Sequence, residues 1–247
     1  PAVAIHKAIQ NLTMIQALDA KTKALTGLGK RLTELPLEPQ FGLLLLKSTE
    51  EEYECSEEML TIISMLSSDT VFFSPVNKRD IAGERHRRFA HELGDHLTYL
   101  NVYESYRKES KDIGVRQWLE DNFINGRALQ HAVKVRQQLR AQLDSMKLLV
   151  AEAGDDEKLC KCLVAGCYLT TAKLSPDKKF YTTMVDRVDV RIHPGSTLFR
   201  ASVAPAFVVY VELVKTSKNY IRGVTMGEEA WLREVASHCF GDRKSVV

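Results

Sequence analysis

The sequence lacks long hydrophobic runs, and its opposite charges nearly cancel. No apolar stretch in the 247 residues approaches the ~20 residues that cross a bilayer, so we expect no membrane partner. The 34 Lys and Arg face 32 Asp and Glu, and a net charge of +2 is too small to indicate nucleic-acid binding by bulk charge. Pro1 opens the chain without Met or the features of a secretory leader, which predicts a piece of a longer protein.

The cysteine pattern indicates neither disulfides nor a metal site. Five cysteines are an odd number, which does not suggest a disulfide framework. Cys160, Cys162 and Cys167 lie close together, but structural zinc sites use C-x₂₋₄-C pairs with a second matching pair. Cys160 and Cys167 share one face of a helix, where free cysteine packs as a small hydrophobe. We expect buried, reduced thiols in an intracellular protein and no metal ion, with a zinc site as the alternative.

The motifs of a complete enzyme are also missing from the sequence. It has no G-x-x-x-x-G-K-[ST] phosphate loop, no G-x-S-x-G elbow and no H-E-x-x-H pair. His86, His91 and His96 recur at a spacing of five residues, which distributes them around a helix and does not converge them on a metal. We therefore expect a binding module without catalytic residues.

Three regions of the sequence differ in hydrophobic pattern and together predict an α+β multidomain fold. Residues 1–48 show helical spacing, a Gly-rich turn and two prolines, which is typical of a small winged-helix domain. Residues 49–148 are almost wholly helical in pattern and are interrupted at Pro75. In this region Ser56 and Asp95 are the predicted N-caps of two helices.

The last region, residues 149–247, changes from helical to β periodicity. An apolar helix is expected around 158–173, and a closing helix near 228–235. Between them, β-branched and aromatic runs separated by turn residues lie at 180–183, 188–193, 207–214 and 220–225. Four or five short strands and a closing helix predict a small, five-stranded barrel of the oligonucleotide-binding (OB) kind.

Residues 122–143 carry the clearest chemical pattern. An apolar stripe, which must face a core, consists of Ile124, Ala128, Ala132, Val135 and Leu139. A different helix face carries Arg127, His131, Lys134 and Gln138. No Asp or Glu occurs anywhere in this stretch. A cationic helix face without carboxylates is a candidate for contacting phosphates, and the alternative is a solvated face that pairs with acids elsewhere.

Short strings along the whole chain, in order, resemble the C-terminal helicase-associated region of DEAH-box RNA helicases. Residues 25–29 (LTGLG) and 36–39 (PLEP) resemble its winged-helix segment. The strings that resemble its ratchet region are 55–62 (CSEEMLTI), 94–98 (GDHLT), 100–103 (LNVY) and 122–127 (NFINGR). Those that resemble its OB-fold are 181–183 (YTT), 192–194 (IHP), 208–214 (VVYVELV), 216–218 (TSK) and 231–232 (WL).

The resemblance implies a winged helix at 1–48, a ratchet-like helical domain at 49–148 and an OB-fold at 149–247. It also implies that the chain follows the second of two RecA-like motor domains, which hold ATP and Mg²⁺ in the parent protein. The parent is then an ATP-dependent RNA helicase, whereas this chain has no cofactor and hydrolyses no ATP. The implied partners are single-stranded RNA and the motor domains of the same protein, inside the cell and in the nucleus.

In such helicases these domains hold one RNA strand against the motors without reading its sequence. Arg and Lys supply salt-sensitive phosphate contacts, Asn and Ser add directional hydrogen bonds, and aromatic rings stack on bases. The candidate RNA-binding residues are Asn125 and Arg127 at the start of the ratchet helix, with Lys173, Tyr181, His193 and Ser196 near the barrel. For Tyr181 a place in the barrel core is the alternative. Arg136 and His96 are candidates for hydrogen bonds between helices.

Two other functions stay open at this point. The same family receives glycine-rich G-patch activator proteins on its winged-helix and barrel surfaces, so a protein-docking platform is the main alternative. A winged helix with an OB-fold also suits a DNA-binding regulator, although residues 1–48 carry only scattered Lys and no basic recognition helix. RNA filter binding and a G-patch peptide pull-down distinguish RNA binding from protein docking.

Overall fold

The computed structural model describes residues 2–109 and 114–240, and these ranges contain eleven α-helices and seven β-strands. The first three helices are α1 (Ala2–Met14), α2 (Gly27–Thr33) and α3 (Pro39–Lys47). Thr26 begins α2, because its hydroxyl oxygen accepts a hydrogen bond from the Gly29 amide at 2.9 Å. Four successive leucines make α3 a buried helix, while most of α1 is exposed.

The middle of the chain is helical, as the sequence predicts. Its helices are α4 (Ser56–Leu66), α5 (Arg79–Arg87), α6 (Asp95–Glu109), α7 (Val115–Asp121) and α8 (Gly126–Ser145). A short 3-10 helix, Val76–Lys78, follows the predicted break at Pro75. The predicted caps are wrong in one respect: Ser56 and Asp95 are the first residues of α4 and α6, and their side chains bind other parts of the chain.

The last third contains one mixed sheet between helices. After α9 (Asp156–Gly166), the strands are β1 (Thr171–Leu174), β2 (Tyr181–Thr183), β3 (Asp189–Ile192), β4 (Phe207–Val209), β5 (Glu212–Lys215), β6 (Asn219–Arg222) and β7 (Thr225–Met226). Their order is β5-β6-β3-β2-β1-β4-β7, with β3 and β6 parallel and every other neighbouring pair antiparallel. A 3-10 helix, Thr197–Arg200, precedes β4, and α10 (Glu229–Val235) and α11 (Ser237–Phe240) follow β7.

The sheet corrects the prediction of a five-stranded barrel, because its seven strands have an open order. The predicted runs at 207–214 and 220–225 are each divided by a bend into two strands. The bends meet at Gly223, whose φ is +62° and where a Cβ would lie 2.5 Å from Cγ2 of Val211. Only glycine permits this backbone conformation and this approach together, so the long runs are divided there.

The predicted helix at 158–173 is also shorter than expected. It ends as α9 at Gly166, where a Cβ would lie 2.5 Å from Cα of Leu44 in α3. The close crossing of α9 over α3 therefore needs glycine at the helix end. Thr171 then begins β1, which pairs with both β2 and β4.

One hydrophobic core joins the three regions of the chain. It includes Leu44 of α3, Ile62 of α4, Leu163 of α9 and Phe207 of β4, all almost fully buried. A second cluster lies among α6, α7 and α8, and a third covers one face of the sheet. Because the main core draws on every region, the candidate binding residues are held on one packed body.

Candidate nucleic-acid interface

Asn125 determines where α8 begins. Its side-chain oxygen accepts hydrogen bonds from the amides of Arg127 at 3.1 Å and Ala128 at 3.3 Å, which is N-cap geometry. Its side-chain nitrogen donates to the carbonyl of Thr70 at 3.3 Å, and its backbone amide donates to the carbonyl of Val71 at 2.8 Å. Asn125 therefore orients the first turn of α8, and with it Arg127.

The predicted cationic face of α8 points to solvent. Arg127, His131, Lys134 and Gln138 are all exposed, and among the described residues none of the four has a side-chain hydrogen bond or ion pair. The apolar stripe lies on the buried side, as predicted. The charges of Arg127 and Lys134 are therefore not neutralised by carboxylates within the described part of the chain.

Two other cations of α8 have a different role. The guanidinium groups of Arg136 and Arg140 both donate to the carboxylate of Glu57 in α4, and Arg136 Nε also donates to Thr61 Oγ1 at 2.9 Å. The Arg136 side chain is only 18% exposed. These contacts bind α8 to α4, so Arg136 forms hydrogen bonds between helices, as one prediction for it held.

Aromatic and cationic side chains surround the start of α8. The amide of Phe73 donates to the carbonyl of Phe123 at 3.1 Å, and the two rings meet edge to face. Phe73 is 43% exposed, so part of its ring is open to solvent. His86 Nε2 lies 3.2 Å from the Phe123 carbonyl oxygen and thereby holds α5 beside this surface. Burial lowers the pKa of His86, so the imidazole is neutral at pH 7.

Helix α5 adds a basic surface that was not among the predicted site residues. The exposed or partly exposed cations of α5 and of the residues on either side of it are Lys78, Arg79, Arg85, Arg87 and Arg88. None of them forms an ion pair within residues 2–109 and 114–240. The contact between His86 and Phe123 places this basic cluster beside the start of α8, and the sequence alone does not contain that contact.

His193 and Ser196 are brought together by a tight turn after β3. The Ser196 amide donates to the His193 carbonyl at 2.9 Å, and Ser196 Oγ accepts from the Leu198 amide at 3.3 Å to cap the 3-10 helix. The imidazole Nδ1 accepts from the Gly195 amide at 3.0 Å, while Nε2 lies 3.1 Å from Arg222 Nη2. Burial and then the Arg222 charge lower the pKa of His193.

Asp95 fastens this turn to the helical region. One carboxylate oxygen accepts from the amide of Thr197 at 2.8 Å and from its hydroxyl at 2.9 Å, and the other accepts from the Val224 amide at 2.7 Å. Beside it, His96 is buried, with Nδ1 2.7 Å from Thr225 Oγ1. The start of α6 therefore positions both the His193 turn and β7. His96 has a structural role, but its ring bonds to the strand β7 and not to another helix as expected.

Lys173 and Tyr181 lie on neighbouring strands but face different surroundings. Lys173 is exposed, and its Nζ lies 2.6 Å from Glu229 Oε2. Its hydrogen bond lowers the pKa of Glu229, more than desolvation raises it. Tyr181 is buried in the sheet core, and its hydroxyl donates to the Pro205 carbonyl at 2.9 Å. Burial raises the Tyr181 pKa to about 12, as expected of a phenol in the core.

The six candidate residues therefore form three groups. Asn125 and Arg127 lie at the start of α8, His193 and Ser196 share one turn, and the strand pair carries Lys173 and Tyr181. Helix α6 lies between the first two groups, because the ring of Tyr99 stacks on Phe72 with centroids 6.3 Å apart and Asp95 of the same helix binds the His193 turn. Burial is the main cause that raises the Tyr99 pKa to about 12.

The described part of the chain shows neither grouped metal ligands nor a membrane-crossing helix. Within residues 2–109 and 114–240, no three His, Cys, Asp or Glu side chains are grouped so that they could hold a metal ion. Cys160, Cys162 and Cys167 are buried, as predicted. No described helix is both long and apolar enough to cross a membrane.

Three family models match this chain and define its class of protein. Residues 8–37 match the winged-helix and residues 38–99 the ratchet-like model of the helicase associated domain (HA2). Residues 159–239 match the family described as an oligonucleotide/oligosaccharide-binding (OB)-fold. A winged helix, a ratchet-like helical domain and an OB-fold thus follow one another along the chain.

Relatives identify the family. The chain is 36% identical over 241 residues to "Probable ATP-dependent RNA helicase DHX35" of Homo sapiens, covering 97% of this chain and 33% of that protein. It is 36% identical over 239 residues to "ATP-dependent RNA helicase DHX33" of Homo sapiens, covering 96% and 33%. The chain belongs to the C-terminal helicase-associated region of DEAH-box RNA helicases, and it spans about a third of the length of the curated relatives it matches.

Proposed function

We propose that this chain is the RNA-holding and regulatory region of an ATP-dependent helicase that moves along single-stranded RNA and remodels RNA or ribonucleoprotein. ATP, Mg²⁺ and the chemistry of hydrolysis belong to RecA-like motor domains elsewhere in the protein, which are its partners within the same molecule. The relatives, whose names describe ATP-dependent RNA helicases, support this assignment. An intracellular, nuclear location is part of the same proposal, and imaging of the tagged full-length protein tests it.

The observation that carries the proposal is the exposed face of α8. Arg127 and Lys134 are exposed, lack carboxylate partners among the described residues, and lie on a helix without Asp or Glu before Asp144. Carboxylates near a phosphate site would repel the ligand and occupy the cations, and the only carboxylate of α8, Asp144, lies at its far end. A face of this kind binds the backbone of any sequence, because it offers charge and no pattern of donors for base edges.

The neighbouring surfaces suit the same ligand. Phe73 supplies an exposed ring on which a base can stack, and the cations of α5 extend the positive surface beyond Arg127. His193, Ser196 and Lys173 would contact the strand from the sheet side. Asn125 acts by orienting Arg127, since its side-chain oxygen is already used by the helix amides. Tyr181 supports the sheet from within.

A second candidate function is docking of a G-patch-type activator, and one feature favours it. A groove of ≈ 1050 Å³ lies between α1, the following loop and α11. Val3, Met14 and Leu28 contribute apolar surface to it, and Val3 is almost fully exposed. Such a groove could receive an apolar peptide segment. A pull-down with a G-patch peptide, run beside RNA filter binding, compares the two functions directly.

The test of RNA binding uses Arg127→Ala in the full-length protein. Losing one phosphate contact should weaken binding to all single-stranded RNA sequences about equally and reduce the salt slope by roughly 0.7. Arg127→Lys should restore binding in part, because it keeps the charge and loses the planar fork. Arg116→Ala is the matched control, since Arg116 is an exposed arginine on α7 that pairs with Glu120.

Affinity across a salt series and the melting temperature are measured together. The proposal predicts an unchanged melting temperature for both variants and a reduced slope for Arg127→Ala alone. A lowered melting temperature with an unchanged salt slope would show that Arg127 is structural and would contradict the contact.

A further inference from the structure

The imidazole of His193 lies between two hydrogen-bond donors. The Gly195 amide donates to Nδ1 at 3.0 Å, and the guanidinium nitrogen Nη2 of Arg222 lies 3.1 Å from Nε2. The ring is held in place by Tyr220, whose ring meets it edge to face at 5.8 Å. Arg222 was not among the candidates, because its separation of 29 residues from His193 hides their contact in the sequence.

A neutral imidazole cannot satisfy both donors. It has one protonated and one unprotonated nitrogen, whereas arginine only donates and the backbone amide only donates. When Nδ1 accepts from Gly195, the proton resides on Nε2 and faces the Arg222 guanidinium. Two N–H groups then converge on the same space from His193 and Arg222, and neither has an acceptor in the other.

We propose that His193 Nε2 and Arg222 form a subsite for one non-bridging phosphate oxygen of an RNA backbone. A single oxygen placed beside the two nitrogens accepts from both, which removes the conflict between the donors and adds a charge-assisted hydrogen bond. This inference rests on the proposed function and adds to it a residue, Arg222, and a contact atom. The subsite recognises the phosphate and no base.

The surrounding charges define when this subsite binds. Arg222 Nη1 also lies 3.6 Å from Glu212 on β5, and the side chain of Arg222 remains 47% exposed, so the guanidinium can be shared with a ligand. The Asp95 carboxylate of α6, the other nearby acid, is fully engaged by Thr197 and Val224. The remaining facing group, Tyr220 on β6, contributes its ring edge.

The ring is neutral at pH 7 when no ligand is present, because burial and Arg222 lower its pKa while Glu212 and Asp95 oppose this only in part. A bound phosphate stabilises the protonated ring and so raises the His193 pKa. By linkage, binding of RNA should become tighter as the pH falls through the range in which the ring takes up its proton.

The test measures binding of a fluorescent oligouridylate strand to the full-length protein across salt and pH. Arg222→Gln should reduce the salt slope by roughly 0.7, so that raising salt from about 50 to 200 mM weakens the wild type about 2.6-fold more than the variant. His193→Gln should remove the tightening at low pH. Arg233→Gln is the matched control, because Arg233 is also an exposed arginine paired with a glutamate, Glu229.

Failure of this inference differs from failure of the proposed function. If the wild type binds RNA with an Arg127-dependent slope but Arg222→Gln behaves like Arg233→Gln, the subsite is wrong and the function stands. If the wild type does not bind the strand at all, both are wrong. Melting temperatures show whether each variant is folded. A pH effect that persists in His193→Gln also overturns the subsite, whatever the stability of Arg222→Gln.

Discussion

His96 should make the stability of this protein fall at mildly acidic pH. The side chain is 2% exposed at the junction of α6 and β7, and burial lowers its pKa to about 4. Thr225 Oγ1 accepts from the His96 amide at 3.2 Å and lies 2.7 Å from Nδ1. In the tautomer with the proton on Nε2, the Thr225 hydroxyl donates to Nδ1. Protonating Nδ1 would replace this acceptor by a second donor and place a charge in the core.

The pKa values give the sign and the size of the effect. His96 takes up its proton at about pH 6.5 in the unfolded chain and only at about pH 4 in the folded chain. The contribution of His96 to the free energy of unfolding is therefore constant above pH 6.5 and is lost as the pH falls toward 4. Linkage gives a loss of about 2 kcal/mol between about pH 7.5 and 5, and about 3 kcal/mol when the titration is complete. For a chain of this size the first figure corresponds to roughly 4–8 °C in melting temperature.

The assay compares urea or thermal unfolding of the wild type and His96→Asn across this pH range. Asn keeps a hydrogen-bonding group near Thr225 but does not titrate, so its stability curve should be flatter by about 2 kcal/mol. His131→Asn is the matched control, since His131 is exposed on α8. Equal pH slopes for wild type and His96→Asn would refute the reasoning, as would an NMR titration in which the His96 ring takes up its proton near pH 6.5.

Two further substitutions test how the helical region is held. Glu57→Ala removes the carboxylate that accepts from the part-buried guanidinium of Arg136, and should lower the free energy of unfolding by about 2 kcal/mol. The exposed control Glu120→Ala should lower it by about 0.5 kcal/mol or less. Equal losses would contradict the role of Glu57 in holding α8 to α4. Gly94→Ala should cost at least about 3 kcal/mol, because φ is +135° and the new Cβ would lie 2.4 Å from the carbonyl oxygen of Val224, just before β7. The control Gly154→Ala, at φ +61° in open space, should cost about 1 kcal/mol. Comparable losses for both would show that the contact of α6 with β7 relaxes easily.

Local periodicity predicts much of this fold and fails where packing intervenes. The stripe from Ile124 to Leu139 repeats every three or four residues, and it is buried as the pattern requires. The helix predicted at 158–173 ends early, because Gly166 fits against α3 and the following residues pair with strands. That contact joins parts of the chain more than a hundred residues apart, and no local pattern contains it.

The candidate site shows the same limit. The exposed position of Arg127 follows from helical spacing alone, and the structure agrees. Asp95 has the sequence features of a helix cap, but its carboxylate binds Thr197 and Val224, which are 102 and 129 residues away. Arg222 was missed for the same reason. Residue type and spacing identify the chemistry that a residue offers, whereas its partner depends on the tertiary fold.

The two candidate binding surfaces are coupled through packed elements. Glu57 of α4 holds α8, and Asp95 of α6 holds the turn that carries His193, while α4 and α6 pack against each other. A strand bound to both surfaces would therefore be held by one body, because neither surface can move far without opening a hydrogen-bonded junction or the shared core. On the proposed function, we therefore expect RNA to be released by movement of this body relative to the motor domains, and not by rearrangement within it.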